Sequence, residues 1–127
     1  MVTIVLLVLA LFVLQTLLPG RFREAGAGNK LSENLGNRDH MRPLTNTGER
    51  AARALGNMQE ALPVFLALAL MNLIVAPNAA LAITGAWIFL AARVVYLLLY
   101  VTGVPVARTI VWIVGWVGLA MMIAPLI

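Results

Sequence analysis

Along the chain, long apolar runs alternate with a single polar stretch, and the lengths of those runs predict the architecture. Val2 to Leu18 is apolar except for Thr3, Gln15 and Thr16. Its opening Met-Val-Thr lacks the basic segment of a cleaved leader, and its end lacks a small-residue cleavage site, so it reads as a retained first span. At 17 residues it is near the lower limit for crossing about 30 Å of hydrocarbon. Pro19-Gly20 is expected to stop the helix. The polar loop runs from 19 to 47 and holds Gly20, Gly26, Gly28, Gly36 and Pro43 among mixed charges. A second helix is expected from about Gly48 to Ala76, capped by Thr47, with the span itself over 50–76. Pro63 inside it predicts a kink, because proline has no N–H for the carbonyl of Gln59. After Pro77-Asn78 comes a third span over 79–101, and after Thr102-Gly103-Val104-Pro105 a fourth over 106–126. The expected fold is an all-α integral membrane protein, one four-helix bundle domain over 1–127.

Composition changes this picture only by strengthening it. The 127 residues are 62% hydrophobic and 11% charged, with a mean hydropathy of +0.96, far from the half-apolar, quarter-charged soluble norm. The net charge of +4 does not indicate nucleic acid. Arg21, Arg23, Lys30, Arg38, Arg42, Arg50 and Arg53 cluster beside four acids in one stretch next to the membrane. By the positive-inside rule this loop and the turn before Arg108 are cytoplasmic, and both ends of the chain lie outside. There is no cysteine, and His40 is the only histidine, which excludes a disulfide framework and a multi-histidine metal site. No helix is interrupted in the paired manner of transporters.

Chemistry is concentrated on polar residues inside or beside the spans. Arg53, Asn57 and Glu60 share one face of the second helix. Arg93, Tyr96 and Tyr100 share one face of the third. An ionisable group within a span costs roughly 2.5–3.5 kcal/mol on insertion scales. Glu60 and Arg93 lie at comparable depth, so either they pair and set the helix register, or they line a polar pocket with Asn57 and Arg53. Arg108 in the first turn of the fourth helix opposes the helix dipole by roughly 0.3–1 kcal/mol. It is either an interfacial anchor or half of an anion site formed with the amides after Pro105. Trp112 and Trp116 follow at helical spacing as belt or packing residues, and Asn72 with Gly115 and Gly118 suits helix contact. His40 reads as a solvated loop residue.

Two motifs carry a resemblance. Glu49-Arg50-x-x-Arg53-Ala-x-x-Asn57-x-x-Glu60-x-x-Pro63-x-Phe65-Leu66-Ala67 resembles the second-helix signature of the MAPEG family, the membrane-associated proteins of eicosanoid and glutathione metabolism. Ala92-Arg93-x-x-Tyr96-x-x-x-Tyr100-x-x-Gly103-Val104-Pro105-x-x-Arg108-Thr109-x-x-Trp112 is similar to its third-to-fourth helix segment, in the bacterial style. The resemblance implies a homotrimer in a bacterial inner membrane, with glutathione bound as thiol substrate between subunits. It implies that Arg53, Asn57, Glu60, Arg93, Tyr96 and Tyr100 bind glutathione, with Arg21 or Arg23 from the end of helix one. Arg108 would stabilise the thiolate as the catalytic residue. The implied partners are a second copy, membrane lipid and a hydrophobic small-molecule electrophile. Leu55 and Gly56 stand where prostaglandin E synthase has histidine and arginine, and Tyr96 replaces a further histidine, which argues against that isomerase activity. The function implied is a glutathione-dependent transferase or peroxidase. The alternative is a non-enzymatic lipid-binding or scaffold protein, since the family includes one.

Overall fold

Four helices form where the apolar runs predict them, and a computed structural model describes them over residues 1–23 and 43–127. They are α1 (Val2–Arg21), α2 (Asn46–Val75), α3 (Ala80–Thr102) and α4 (Pro105–Ile123), followed by a 3-10 turn at Ala124–Leu126. Each is long and apolar enough to cross a membrane. The expectations for His40, Lys30, Arg38 and Arg42, and for most of the polar loop, lie outside the described residues.

Two helix ends differ from expectation. α1 continues through Pro19-Gly20 to Arg21, because a proline in a last turn forfeits only its own bond to the preceding turn. α2 begins at Asn46 and its cap is Thr45, not Thr47. The Thr45 Oγ1 accepts the Gly48 N–H at 3.2 Å and donates to the Phe22 carbonyl at 3.0 Å. The Thr45 N–H also donates to that carbonyl, at 2.9 Å. One residue thus caps α2 and fastens it to the end of α1. Thr45→Ala is expected to lower stability by about 1 kcal/mol, read as thermal unfolding in detergent, while Thr47→Ala leaves it unchanged.

α1 buries Ile4, Val8, Leu11 and Gln15, a stripe at spacings of four, three and four that lies along α2. α2 is 30 residues long, about 45 Å at 1.5 Å per residue, and runs unbroken through Pro63. Its length exceeds the hydrocarbon core, so one end projects beyond it. α3 is the most buried span, and its pairing with α4 is the most extensive in the molecule. Asn72 of α2 donates to the Met122 carbonyl of α4 at 2.8 Å, which satisfies a carbonyl in the final turn. Phe65 of α2 stacks on Phe89 of α3 with ring centroids 4.7 Å apart.

The end of α1, the start of α2, the end of α3 and the start of α4 meet at one end of the bundle. There the α3–α4 turn passes through Gly103 with φ +83°, and a β-carbon at that position would collide with the Arg50 guanidinium from α2. Glycine is needed for the left-handed backbone, whereas the Arg50 guanidinium, the far end of a flexible side chain, could move aside. That turn sets where α4, and therefore Arg108, begins.

Candidate functional site

Tyr96 and Tyr100 lie one turn apart near the end of α3, their rings 5.4 Å apart and tilted by 58°. Immediately after the turn, Pro105 starts α4, and no side chain caps its N-terminus. Arg108, one turn into the helix, places its guanidinium carbon 4.6 Å from the centre of the Tyr100 ring. This cation–π contact explains how a cation is tolerated at the positive end of a helix dipole. No carboxylate among the described residues lies within ion-pair distance of Arg108. Among those residues its charge has no ion-pair partner.

Asn57 of α2 faces the same space. Its amide donates weakly to the Arg53 carbonyl at 3.3 Å. Asn57, Tyr96, Tyr100, Arg108, Thr109 and Trp112 line an open cleft of about 240 Å³. No hydrogen bond joins either tyrosine hydroxyl to another described residue, so both can serve a ligand. The cleft offers one cation, one amide and three hydroxyls beside an indole. That set suits a ligand with an anionic group and an adjoining apolar part.

The other candidates sit elsewhere. Arg53 is exposed on α2 and pairs with Glu49 of the preceding turn at 3.6 Å. Such a pair is worth about 0.3–0.5 kcal/mol, so Arg53 is readily recruited by a stronger partner. Glu60 is exposed on the outer surface of α2. Arg93 is buried, 2% exposed, with its guanidinium carbon 5.1 Å from the Phe89 ring centre and 5.8 Å from that of Tyr96. Of the two readings open for Glu60 and Arg93, the ion pair does not form, and neither residue lines the cleft of this chain. The two are within electrostatic reach, yet α2 turns the carboxylate outward while α3 turns the arginine inward beneath Tyr96. Nε, Nη1 and Nη2 of Arg93 have no hydrogen-bond partner among the described residues. Arg21 lines a separate groove of about 540 Å³ with Leu14, Leu17, Leu18 and Phe22. Arg23 forms an isolated antiparallel bridge with Leu44.

One chain therefore brings together Asn57, Tyr96, Tyr100 and Arg108, and leaves Arg53, Glu60, Arg93, Arg21 and Arg23 outside the cleft. It adds two residues not expected there, Thr109 and Trp112. Trp112 was legible in the i, i+4 spacing from Arg108, which places it one turn further along the same face. Thr109 stands beside Arg108 in the third-to-fourth helix motif, but nothing in the sequence gave it a role.

A family model described as the MAPEG family matches residues 1–127, the whole chain. No curated protein and no solved structure matches it significantly.

Proposed function

Because the chain belongs to the MAPEG family, an all-helical group whose membership agrees with its four membrane-spanning-capable helices, we propose that it is a glutathione-dependent membrane transferase or peroxidase acting on hydrophobic electrophiles. The observation that carries this reading is Arg108, unpaired with any carboxylate of the described residues and held over Tyr100 in a cleft with Asn57 and Tyr96. Glutathione offers two carboxylates, an amine and a thiol, so it requires several cations, one carboxylate and a group that favours the thiolate.

The working unit in this reading is a homotrimer. The cleft of one chain, about 240 Å³, falls short of the roughly 300–1,000 Å³ of ligand sites. Glu60 lies exposed within a span, where a bare carboxylate facing lipid is costly. A neighbouring subunit against α2 resolves both, with Arg53, Glu60 and an arginine from the end of α1 completing the site across the boundary. Arg93 supports the pocket from below through Tyr96.

Arg108 stabilises the thiolate, whose sulfur attacks the electrophilic carbon. A carbon–sulfur bond forms, the leaving group departs with its bonding pair, and the thiol proton passes to solvent. With a hydroperoxide the sulfur takes the terminal oxygen and releases the alcohol. A second glutathione then closes the disulfide and releases water. The electrophile enters from the lipid along α1 and α4.

Calorimetric titration of glutathione into the detergent-purified protein tests the reading. Saturable binding is expected in the wild type and at least about 10-fold weaker binding in Arg53→Ala and in Glu60→Ala, the loss of a hydrogen bond to a charged group. Absence of binding in the wild type would overturn the thiol chemistry and leave a lipid-binding scaffold.

A further inference from the structure

Leu14, Leu17, Leu18 and Arg21 follow one another at helical spacing along α1, on a face other than that of the Ile4, Val8, Leu11 and Gln15 stripe packed on α2. With Phe22 they line the groove of about 540 Å³ at the end of the helix. Leu14 and Leu17 are 52% and 65% exposed, so the apolar side of the groove is open. Phe22 closes its end on a fixed backbone, since the Phe22 carbonyl accepts from both the N–H and the hydroxyl of Thr45. Arg21 is exposed in the last turn of α1 and makes no ion pair with any described residue.

The length of α1 sets the depth of these groups. Its 20 residues span about 30 Å at 1.5 Å per residue, the thickness of the hydrocarbon layer. Arg21, its last residue, therefore falls at the headgroup level. Leu14 lies two turns earlier, about 10 Å into the apolar layer. The groove is cationic at the water boundary and apolar inward. The helix dipole and interfacial anchoring account for the cation at this position, but neither calls for a cavity beside it. That cavity, about 540 Å³, is within the roughly 300–1,000 Å³ of ligand sites. Glutathione, charged at both ends, gains nothing from three leucines and a phenylalanine.

We propose that this groove binds an anionic phospholipid, its phosphate against Arg21 and one acyl chain along Leu14, Leu17 and Leu18. Charge complementarity selects the head group, and the leucine stripe takes the tail. A guanidinium holds phosphate through paired N–H donors. Anionic lipids are drawn on by basic residues at the cytoplasmic leaflet, the side on which the positive-inside rule puts this end of α1. A zwitterionic lipid with the same chains carries its own cation and gains less from Arg21. The proposal does not depend on the thiol reading. It gives the two arginines at the end of α1 different ligands, with Arg21 on lipid and Arg23 left for the thiol site.

Dioleoylphosphatidylglycerol and dioleoylphosphatidylcholine are titrated separately into the full-length, delipidated protein in detergent. Native mass spectrometry counts bound lipid, and thermal unfolding reads the stabilisation. The wild type is expected to bind the phosphatidylglycerol about fivefold more tightly, the scale of one arginine at an anionic head group. Arg21→Gln abolishes this preference, and Arg21→Lys keeps part of it. Leu14→Ala combined with Leu17→Ala weakens both lipids alike. Arg53→Gln, which removes an exposed cation from α2, keeps the preference in full. Equal affinity of the wild type for the two lipids overturns the site, and so does equal loss of preference in Arg21→Gln and Arg53→Gln, which would assign it to net charge. Inorganic phosphate alone is expected to give no stabilisation; an effect as large as that of the lipid removes the acyl chain from the site and overturns the proposal. Saturating glutathione is expected to leave the lipid bound, and displacement would return Arg21 to the thiol site. Absence of glutathione binding with the lipid preference intact sinks the thiol reading alone and leaves the lipid site standing.

Discussion

Arg108→Gln is expected to reduce turnover at pH 7 about 30- to 100-fold while changing the affinity for glutathione much less. A free thiol has a pKa near 8.5, so only about 3% is thiolate at pH 7. A cation at contact distance that lowers this value by about two units raises the thiolate to roughly three-quarters of the population, a gain of about 25-fold. Electrostatic support of the charge in the transition state adds to that. The sign fixes the pH dependence. Because the cation lowers the thiol pKa, its advantage is present below about pH 8.5 and fades above it, where the unassisted thiol ionises by itself. The rate deficit of Arg108→Gln should therefore narrow to a few-fold by about pH 9.5. Ultraviolet absorbance of the bound thiolate, titrated in both proteins, gives the shift directly. A deficit that stays constant across pH would assign Arg108 to positioning and remove the thiolate role. Arg108→Lys is the informative companion. It keeps the charge but loses the flat guanidinium that rests on the Tyr100 ring at 4.6 Å, so it is expected to fall between the two.

That arginine also shows where sequence reasoning stops. Its position in the first turn of a helix was visibly unfavourable, which marked it as a residue needing an explanation. The explanation, an aromatic ring beneath it, depends on how α3 and α4 rotate about their axes. Helical spacing places Tyr96 and Tyr100 on one face and Arg108 on another, but it does not say that the faces meet. The same limit applies to Glu60 and Arg93. Spacing put each on one helical face with its neighbours and counted both to a comparable depth, which left pairing open. The pairing failed because α2 presents Glu60 outward while α3 buries Arg93 beneath Tyr96. Four helices capable of crossing a membrane were legible because hydropathy and length suffice for them. The start of α2 was legible only to within two residues. Thr45 and Thr47 both suit an N-cap, and the choice falls to Thr45 through its bonds to the Phe22 carbonyl of α1, a contact between distant residues that no local pattern records.

The largest effect on the fold is expected from Gly118→Ala. α3 and α4 cross with their backbones in contact, and two glycines make the approach possible. A β-carbon at Gly118 would lie 2.7 Å from the Gly85 carbonyl oxygen and 2.9 Å from the Phe89 nitrogen. A β-carbon at Gly85 would lie 2.5 Å from the Gly118 carbonyl oxygen. These obstacles are backbone atoms, which no rotamer change can move aside. In a bilayer, helices are held together largely by close packing of this kind, so even one methyl group must drive the pair apart, at about 1–3 kcal/mol. The consequence extends to the cleft, because its walls come from both helices. Tyr96 and Tyr100 stand on α3, while Arg108 and Trp112 stand on α4. Separation at the crossing is expected to lower the thermal unfolding temperature and to weaken glutathione binding together. Gly115→Ala is the control one turn earlier. Its β-carbon would meet only the Ala92 side chain at 3.7 Å and Arg93 Nε at 3.9 Å, ordinary contact distances, and replacing a helical glycine with alanine favours the helix by up to about 1 kcal/mol. Gly115→Ala should therefore be neutral or mildly stabilising in the same thermal scan. Equal destabilisation by both substitutions would mean that the Gly85–Gly118 crossing does not set the distance between the helices.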